Sequence, residues 1–279
     1  MIKTRRIRNL FAAPYLAWTL IFILAPLAMI LWYGLTDDAG ALTLANLAAI
    51  VRPEHAMALW RAVYLALAST AICLLLAYPL CLILAQRRAD GRAGNGSVIV
   101  LLFVLPMWMN FLLRTLAWQT ILEKTGILNT LLTTLGLPAL NIINTQYAIL
   151  FGMVYNFLPF MVLPLYNALV KIDPSLVSAA RDLGANGLQT FLRVTLPLSA
   201  PGIVSGVTMV FIPGLTTFVI STLLGGSKIL LIGNIIEQEF TLAYDWHLGS
   251  GLSLILMLFI IVNIALSMLA DRNDEGLNK

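Results

Sequence analysis

The chain has 279 residues, of which 60% are hydrophobic and 11% charged. Soluble domains carry roughly 25% charged residues, so this composition excludes an ordinary soluble fold. The 17 Lys and Arg residues against 13 Asp and Glu leave a net charge of +4, scattered along the chain rather than gathered into a nucleic-acid-binding face.

A hydrocarbon core about 30 Å thick takes roughly 20 apolar helical residues to cross. Six runs of that kind follow one another, at 12–33, 60–84, 98–118, 148–170, 202–224 and 251–270. They predict an all-α integral membrane protein of six transmembrane helices in a single domain, 1–279. The first run follows Lys3, Arg5, Arg6 and Arg8 and precedes Ala39-Gly40-Ala41, the layout of a signal peptide. Its apolar stretch exceeds the usual h-region of about 7 to 15 residues, and Trp18, Trp32 and Tyr33 suit an interfacial belt, so it is expected to stay as a span. The second run contains both cysteines, Cys73 and Cys81, which read as small hydrophobes. Pro213-Gly214 interrupts the fifth run and predicts a break or kink there.

Basic residues near short loops are retained in the cytoplasm. Most of them fall in the N-terminus, the Arg87, Arg88, Arg92 loop, the Lys171, Arg181, Arg193 loop and the tail with Arg272 and Lys279. Arg52, Lys124 and Lys228 are left to the opposite side, with Arg61 and Arg114 near span ends where they can snorkel to the interface. Both termini are therefore expected in the cytoplasm, and the outer loops are 34–59, 119–147 and 225–250. Leu128, Leu131, Leu132 and Leu135 recur at helical intervals and predict an interfacial helix over 126–136.

No Gly-Lys-Ser/Thr closes a glycine-rich loop, so ATP drive through a P-loop has to come from a partner. His55 and His247 stand far apart without a metal-ligand pattern, and no metal site is expected. Ser250 lies three residues from His247, a spacing that allows a nucleophile and base but reads more simply as a flexible start to the last span. None of the acids falls well inside a span, which argues against a proton-coupled carrier.

The inner segment 171–199 differs from the other loops. Asp173 is a good N-cap, Pro174 a good first helical residue and Gly184 a C-cap, which together bracket a helix of about ten residues. Leu176, Ala180 and Leu183 share one of its faces, while Ala179, Ala180 and Gly184 are small enough for close approach. A second helical stretch, 188–194, follows Asn186-Gly187 and is expected to end before Pro197. Such a pair forms a compact docking knob, with Arg181, Asp182 and Arg193 able to pair at its edge; an amphipathic element lying on the membrane is the alternative.

Ser178-Ala179-Ala180-Arg181-Asp182-Leu183-Gly184-Ala185, followed by Phe191, Leu196-Pro197-Leu198 and Pro201-Gly202-Ile203, resembles the EAA loop of binding-protein-dependent ABC importer permeases. Ser178 stands where that family usually has Glu. The stretches 105–115 and 155–160, Leu224-Gly225-Gly226-Ser227-Lys228 and Leu231-Ile232-Gly233-Asn234 resemble the spermidine/putrescine branch, although anion, thiamine and iron importers share the loop. The resemblance implies a MetI-like, multi-pass permease of a bacterial inner membrane with no catalysis or cofactor of its own. It also implies a second permease subunit, a cytoplasmic ATPase dimer carrying ATP and Mg, and an extracytoplasmic substrate-binding protein. Residues Ser178, Ala179, Ala180, Arg181, Asp182, Leu183 and Gly184 would then couple to the ATPase.

A path for a flexible polycation needs carbonyls, hydroxyls and aromatic faces. Trp108, Asn110, Tyr155, Asn156 and Tyr166 are the candidates. Gly202 and Gly206 form a small-xxx-small pair suited to close helix packing. A carrier or channel acting alone, and an intramembrane enzyme, remain as readings from other classes.

Overall fold

The computed structural model describes residues 14–89 and 96–277. Lys3, Arg5, Arg6, Arg8, Arg92 and Lys279, on which part of the topology argument rests, lie outside the described residues. Among those described, the only β-pairing is an isolated antiparallel bridge between Thr36 and Leu42. The helices are α1 Pro14–Leu35, α2 Ala45–Ala48, α3 Pro53–Ala89, α4 Gly96–Val104, α5 Phe111–Leu122, α6 Ile127–Thr134 and α7 Gln146–Val170. They continue with α8 Pro174–Asp182, α9 Gly187–Leu198, α10 Ala200–Thr216, α11 Val219–Gly225, α12 Ile232–Gln238 and α13 Trp246–Leu277.

Four helical stretches are long and apolar enough to cross a membrane: Pro14–Leu35, Pro53–Arg88, Gln146–Val170 and Trp246–Ala265. Two bent pairs raise the number to six, Ile99–Trp108 with Phe111–Thr134 at 97° and Gly187–Leu198 with Ala200–Thr216 at 64°. The third span expected at 98–118 is thus interrupted by a bend between Trp108 and Phe111. Pro106 opens a short 3-10 turn, Leu105–Trp108, Met109 is extended, and Asn110 restarts the helix by accepting the Leu112 and Leu113 N–H groups at 2.8 and 3.3 Å.

The fifth span also departs from expectation. Helix α10 runs through Pro213 and Gly214 and stops at Thr217, which is extended, before α11 resumes. Gly214 serves packing instead, since a Cβ there would stand 3.4 Å from that of Ala66. Helix α9 likewise continues past Pro197 to Leu198. A π turn over Phe191–Thr195 widens the backbone where the proline ring would otherwise meet the carbonyl four residues earlier.

The described residues form two compact units. In the one made of the chain up to Met57 and Ile235–Phe259, the end of α1 is closed by Asn46. Its Nδ2 donates to the Thr36 carbonyl at 2.9 Å and, less closely, to Tyr33 and Gly34. Gly34 and Gly251 let backbones meet: a Cβ on the first would strike Leu254, and one on the second Asn46.

In the unit made of Ala58–Asn234 and Ile260–Lys279, α7 is the central helix. Over its apolar window 56% of the residues are buried, against 0% for α1, so α7 is wrapped by protein and α1 presents an open apolar surface. Gly202 sits against Ala168, Pro164 and Leu165, and Gly206 against Met161, which brings α10 onto α7 at backbone distance. Helix α11 closes over Gly152 through Leu224 and Ile220, and Trp118 of α5 packs edge-on against Phe151 and Tyr155. On α3 the Cys81 thiol donates to the Val162 carbonyl at 3.5 Å.

Candidate functional site

Helix α8 begins where the Asp173 carboxylate accepts the Ser175 N–H at 2.9 Å, with Pro174 in the first turn. The Ser175 backbone N–H, and then its side chain, hold the Asp173 carboxyl below the usual carboxylate range. The end is a Schellman motif: Ala185 N–H reaches the Ala180 carbonyl at 3.0 Å, and Gly184 N–H reaches that of Arg181 at 2.9 Å. Gly184 has φ +84, and nothing lies within 4 Å of where its Cβ would stand. Its conformation demands glycine, and the space above it is free for another surface.

A capping box then opens α9, in which the Asn186 side chain accepts from Gln189 N–H at 2.9 Å and the Gln189 side chain accepts from Asn186 N–H at 3.0 Å. The knob is thus rigid at both helix starts and at its central turn. Its apolar side chains are open: Leu183 is 90% exposed and Leu188 66%, with Leu176 and Leu192 also exposed. Arg181 and Asp182 are exposed beside them. Ser178 Oγ donates to the Pro174 carbonyl at 3.2 Å, folding back on its own helix where a glutamate would reach outward.

The candidate pathway residues separate into two groups. Trp108 and Asn110 lie in the bend between α4 and α5, where Trp108 is 77% exposed and the Asn110 oxygen is committed to capping. Tyr155, Asn156 and Tyr166 lie on α7. The Tyr155 ring stands 5.2 Å from Trp118. Asn156 is buried and donates to the Gly152 carbonyl at 2.9 Å, but its Oδ1 and the Tyr166 hydroxyl are buried without partners among the described residues. Arg114 does not snorkel as expected. It is buried on α5, and its Nε and Nη1 also lack partners there.

Histidine chemistry is structural in the places described. His55 Nδ1 is 2.7 Å from the Ala49 carbonyl, and His247 Nδ1 is 2.9 and 2.6 Å from the carbonyls of Tyr33 and Thr36, so His247 is not engaged with Ser250.

Sequence reasoning missed the part played by Asn234. Its Oδ1 accepts from Ser221 Oγ and from Leu231 N–H at 3.0 Å, while its Nδ2 donates to the Phe218 carbonyl at 3.1 Å and to Thr222 Oγ1 at 2.8 Å. Gly233 beside it lies against the carbonyls of Thr216 and Thr217. Together they clamp the gap between α10 and α11. An asparagine inside an apolar run was the available signal.

The pattern for "Binding-protein-dependent transport system inner membrane component" matches residues 10–279. The spermidine/putrescine transport system permease protein PotB of Haemophilus influenzae is 36% identical over 286 residues, covering 98% of this chain and 99% of that protein. PotB of Escherichia coli K12 is 36% identical over 92% of this chain and 97% of its own length. The permease protein YdcU of the same organism is 31% identical, over 90% and 85%. Among solved structures, a bacterial ABC transporter that imports the acidic polysaccharide alginate superposes with TM-score 0.74 at 17% identity, covering 100% of this chain and 98% of that one. The MetNI methionine transporter superposes with TM-score 0.57 at 20% identity, over 82% and 99%. At those identities the solved structures speak for the fold. The chain belongs to the inner membrane components of binding-protein-dependent transport systems, the permease subunits of ABC importers.

Proposed function

We propose that this permease subunit carries spermidine and putrescine inward, paired with a second permease, two cytoplasmic ATPases and an extracytoplasmic binding protein. The observation that carries the reading is the end-to-end match, at 36% identity, to a relative named for spermidine and putrescine transport. The ATP and Mg of the cycle belong to the ATPases. Both termini and the α8–α9 knob face the cytoplasm in this reading, supported by the distribution of Lys and Arg.

The knob works mechanically. Leu176, Leu183 and Leu188 fill an apolar groove on the ATPase, the small Ala179, Ala180 and Gly184 admit close approach, and Arg181 and Asp182 pair at the rim. Closure of the ATPase pair on ATP moves the knob. The motion passes through the bend at Ser199 into α10, which is locked to α7 by Gly202 and Gly206. The cargo's ammonium groups meet the Trp108 and Tyr155 ring faces; Asn156 Oδ1 and the Tyr166 hydroxyl, unpartnered but buried in this conformation, become open to them as the helices rock. None of these carries a charge strong enough to trap a polycation.

Uptake of radiolabelled spermidine and putrescine by cells dependent on this transporter tests the cargo. Crosslinking from position 180 to the co-purified ATPase tests the contact. Ala180→Arg is expected to abolish both ATPase retention and uptake, because a charged chain cannot be seated at a desolvated contact. Full uptake by that variant, with no crosslink in any nucleotide state, would place the knob on the membrane surface instead.

A further inference from the structure

Within the unit that contains α1 and the start of α13 there is a half-open cavity of about 590 Å³. Its walls carry the rings of Tyr33, Tyr244 and Trp246 and the carboxylates of Asp37, Asp38 and Asp245, and among the described residues no Lys or Arg lines it. That size falls in the range of about 300 to 1,000 Å³ typical of small-molecule sites. None of these residues belongs to the pathway group on α5 and α7. By the distribution of basic residues, the segments 34–59 and 225–250 that supply most of them are extracytoplasmic.

The chemistry of the walls is selective. Asp37 Oδ1 accepts from the N–H groups of Ala39 and Ala41 at 3.0 and 2.8 Å, and Asp245 Oδ1 caps α13 through Leu248 N–H at 2.8 Å. Both carboxylates are fixed by one oxygen, and the other oxygen of each has no partner among the described residues. Asp38 is fully exposed, with Oδ1 3.6 Å from His247 Nε2. His247 holds its Nδ1 against the carbonyls of Tyr33 and Thr36, which fixes that nitrogen as the donor. Asp38 Oδ2 has no partner among the described residues and stays open to a ligand. The Tyr33 ring lies 6.3 Å from Trp246 and edge-on to His247 at 5.3 Å, which gives the cavity an aromatic wall beside its acids. Aromatic faces attract cations, and carboxylates give short, charge-assisted bonds to N–H donors. An anion would meet only repulsion from the three carboxylates.

We infer that this cavity is a second binding site, separate from the translocation path, for a flexible aliphatic amine bearing at least two ammonium groups. It receives the cargo outside the membrane-embedded path: one ammonium rests against the Tyr33, Tyr244 and Trp246 rings, and others pair with Asp37, Asp38 and Asp245. The inference rests on the polyamine reading for the identity of the natural ligand.

The test uses the complete transporter in phosphatidylcholine nanodiscs with an aryl-azide derivative of spermidine, together with uptake of radiolabelled spermidine by cells. Photolabel is expected on the peptides spanning 33–46 and 243–247, removed by excess free spermidine. Asp38→Asn with Asp245→Asn is expected to weaken that labelling about tenfold, because each lost charge removes a charge-assisted bond. Asn keeps the α13 cap and Asp38 is fully exposed, so the double variant keeps its fold, checked by an unchanged melting temperature. Label confined to other segments, or undiminished in the double variant, with normal wild-type uptake, overturns the site and leaves the cargo reading standing. Labelling as expected with no spermidine uptake by wild-type cells upholds the site and sinks the cargo reading.

Discussion

The Tyr78 hydroxyl and Ser199 Oγ share a hydrogen bond of 2.8 Å, which ties the middle of α3 to the bend between α9 and α10. Ser199 is fully buried, and the Tyr78 ring stands edge-on to Phe191 at 5.5 Å, so α3 holds both the bend and the π turn that precedes it. Tyr78→Phe removes the bond and keeps the ring. The loss is about 1 kcal/mol, concentrated at the bend through which the proposed knob motion would reach α10. Uptake is expected to fall several-fold relative to ATP hydrolysis, measured together in proteoliposomes. An unchanged ratio would mean that the bend transmits nothing.

Overpacking the α7–α10 seam should be felt globally. A Cβ at Gly206 would stand 2.6 Å from Met161 Sδ and 3.4 Å from its carbonyl oxygen, so Gly206→Leu has no room without parting the helices. The expected destabilisation is about 1–3 kcal/mol, read as a lower melting temperature in detergent. Gly187→Leu, where a Cβ would meet nothing, is the control and should melt as the parent does.

Asn234 holds four partners: Phe218 in the gap after α10, Ser221 and Thr222 on α11, and Leu231 beside its own helix. Asn234→Leu leaves the Leu231 N–H with no such acceptor, while Ser221 Oγ keeps the Phe218 carbonyl at 2.9 Å, and is expected to destabilise the protein by about 1–3 kcal/mol. Asn234→Asp keeps the acceptor oxygen but loses both amide donors, and should fall between Leu and the parent. Equal stability of all three would show that the gap is held by other contacts.

The cap of α8 carries a pH dependence of known sign. The Asp173 carboxyl is held below its ordinary range by the Ser175 N–H, so its contribution is complete above the ordinary carboxylate pKa and is lost as pH falls through the lowered value. Amide exchange at Ser175 and Leu176 should therefore accelerate only at strongly acid pH. Asp173→Asn caps without titrating and should remove that dependence.

The helical knob of α8 and α9 was legible almost to the residue because its determinants are local. Asp173, Pro174, Gly184 and Asn186 each fix a helix end through their own backbone chemistry, and the structure uses each of them. The breaks in the third and fifth spans were not legible at their true positions, because hydropathy averages over a turn that costs only a few residues. Pro213 signals a break or a kink and the helix runs through it, while the break at Thr217 is fastened by Asn234 through the Phe218 carbonyl, a contact visible only after folding. The acid and aromatic cavity was hidden for a similar reason. Asp37, Asp38 and Asp245 sit in loops that look merely solvated until His247 joins the two segments through the Tyr33 and Thr36 carbonyls.

The 97° bend between Ile99–Trp108 and Phe111–Thr134 bears on how the protein is made. Ten residues of helix rise about 15 Å, roughly half the hydrocarbon thickness, so a helix entering the bilayer near Ile99 would turn sideways while still at membrane depth. Non-helical backbone survives there only under the cover of protein or beside water. Yet Trp108 and Met109 at the turn are 77% and 59% exposed in this chain by itself. If the second permease proposed above covers this turn, biogenesis depends on stoichiometry: made without that companion, the subunit would leave the turn uncovered, a state that membrane proteases and chaperones can recognise. Under that pairing, balanced synthesis of the two permeases becomes a structural requirement rather than a matter of economy.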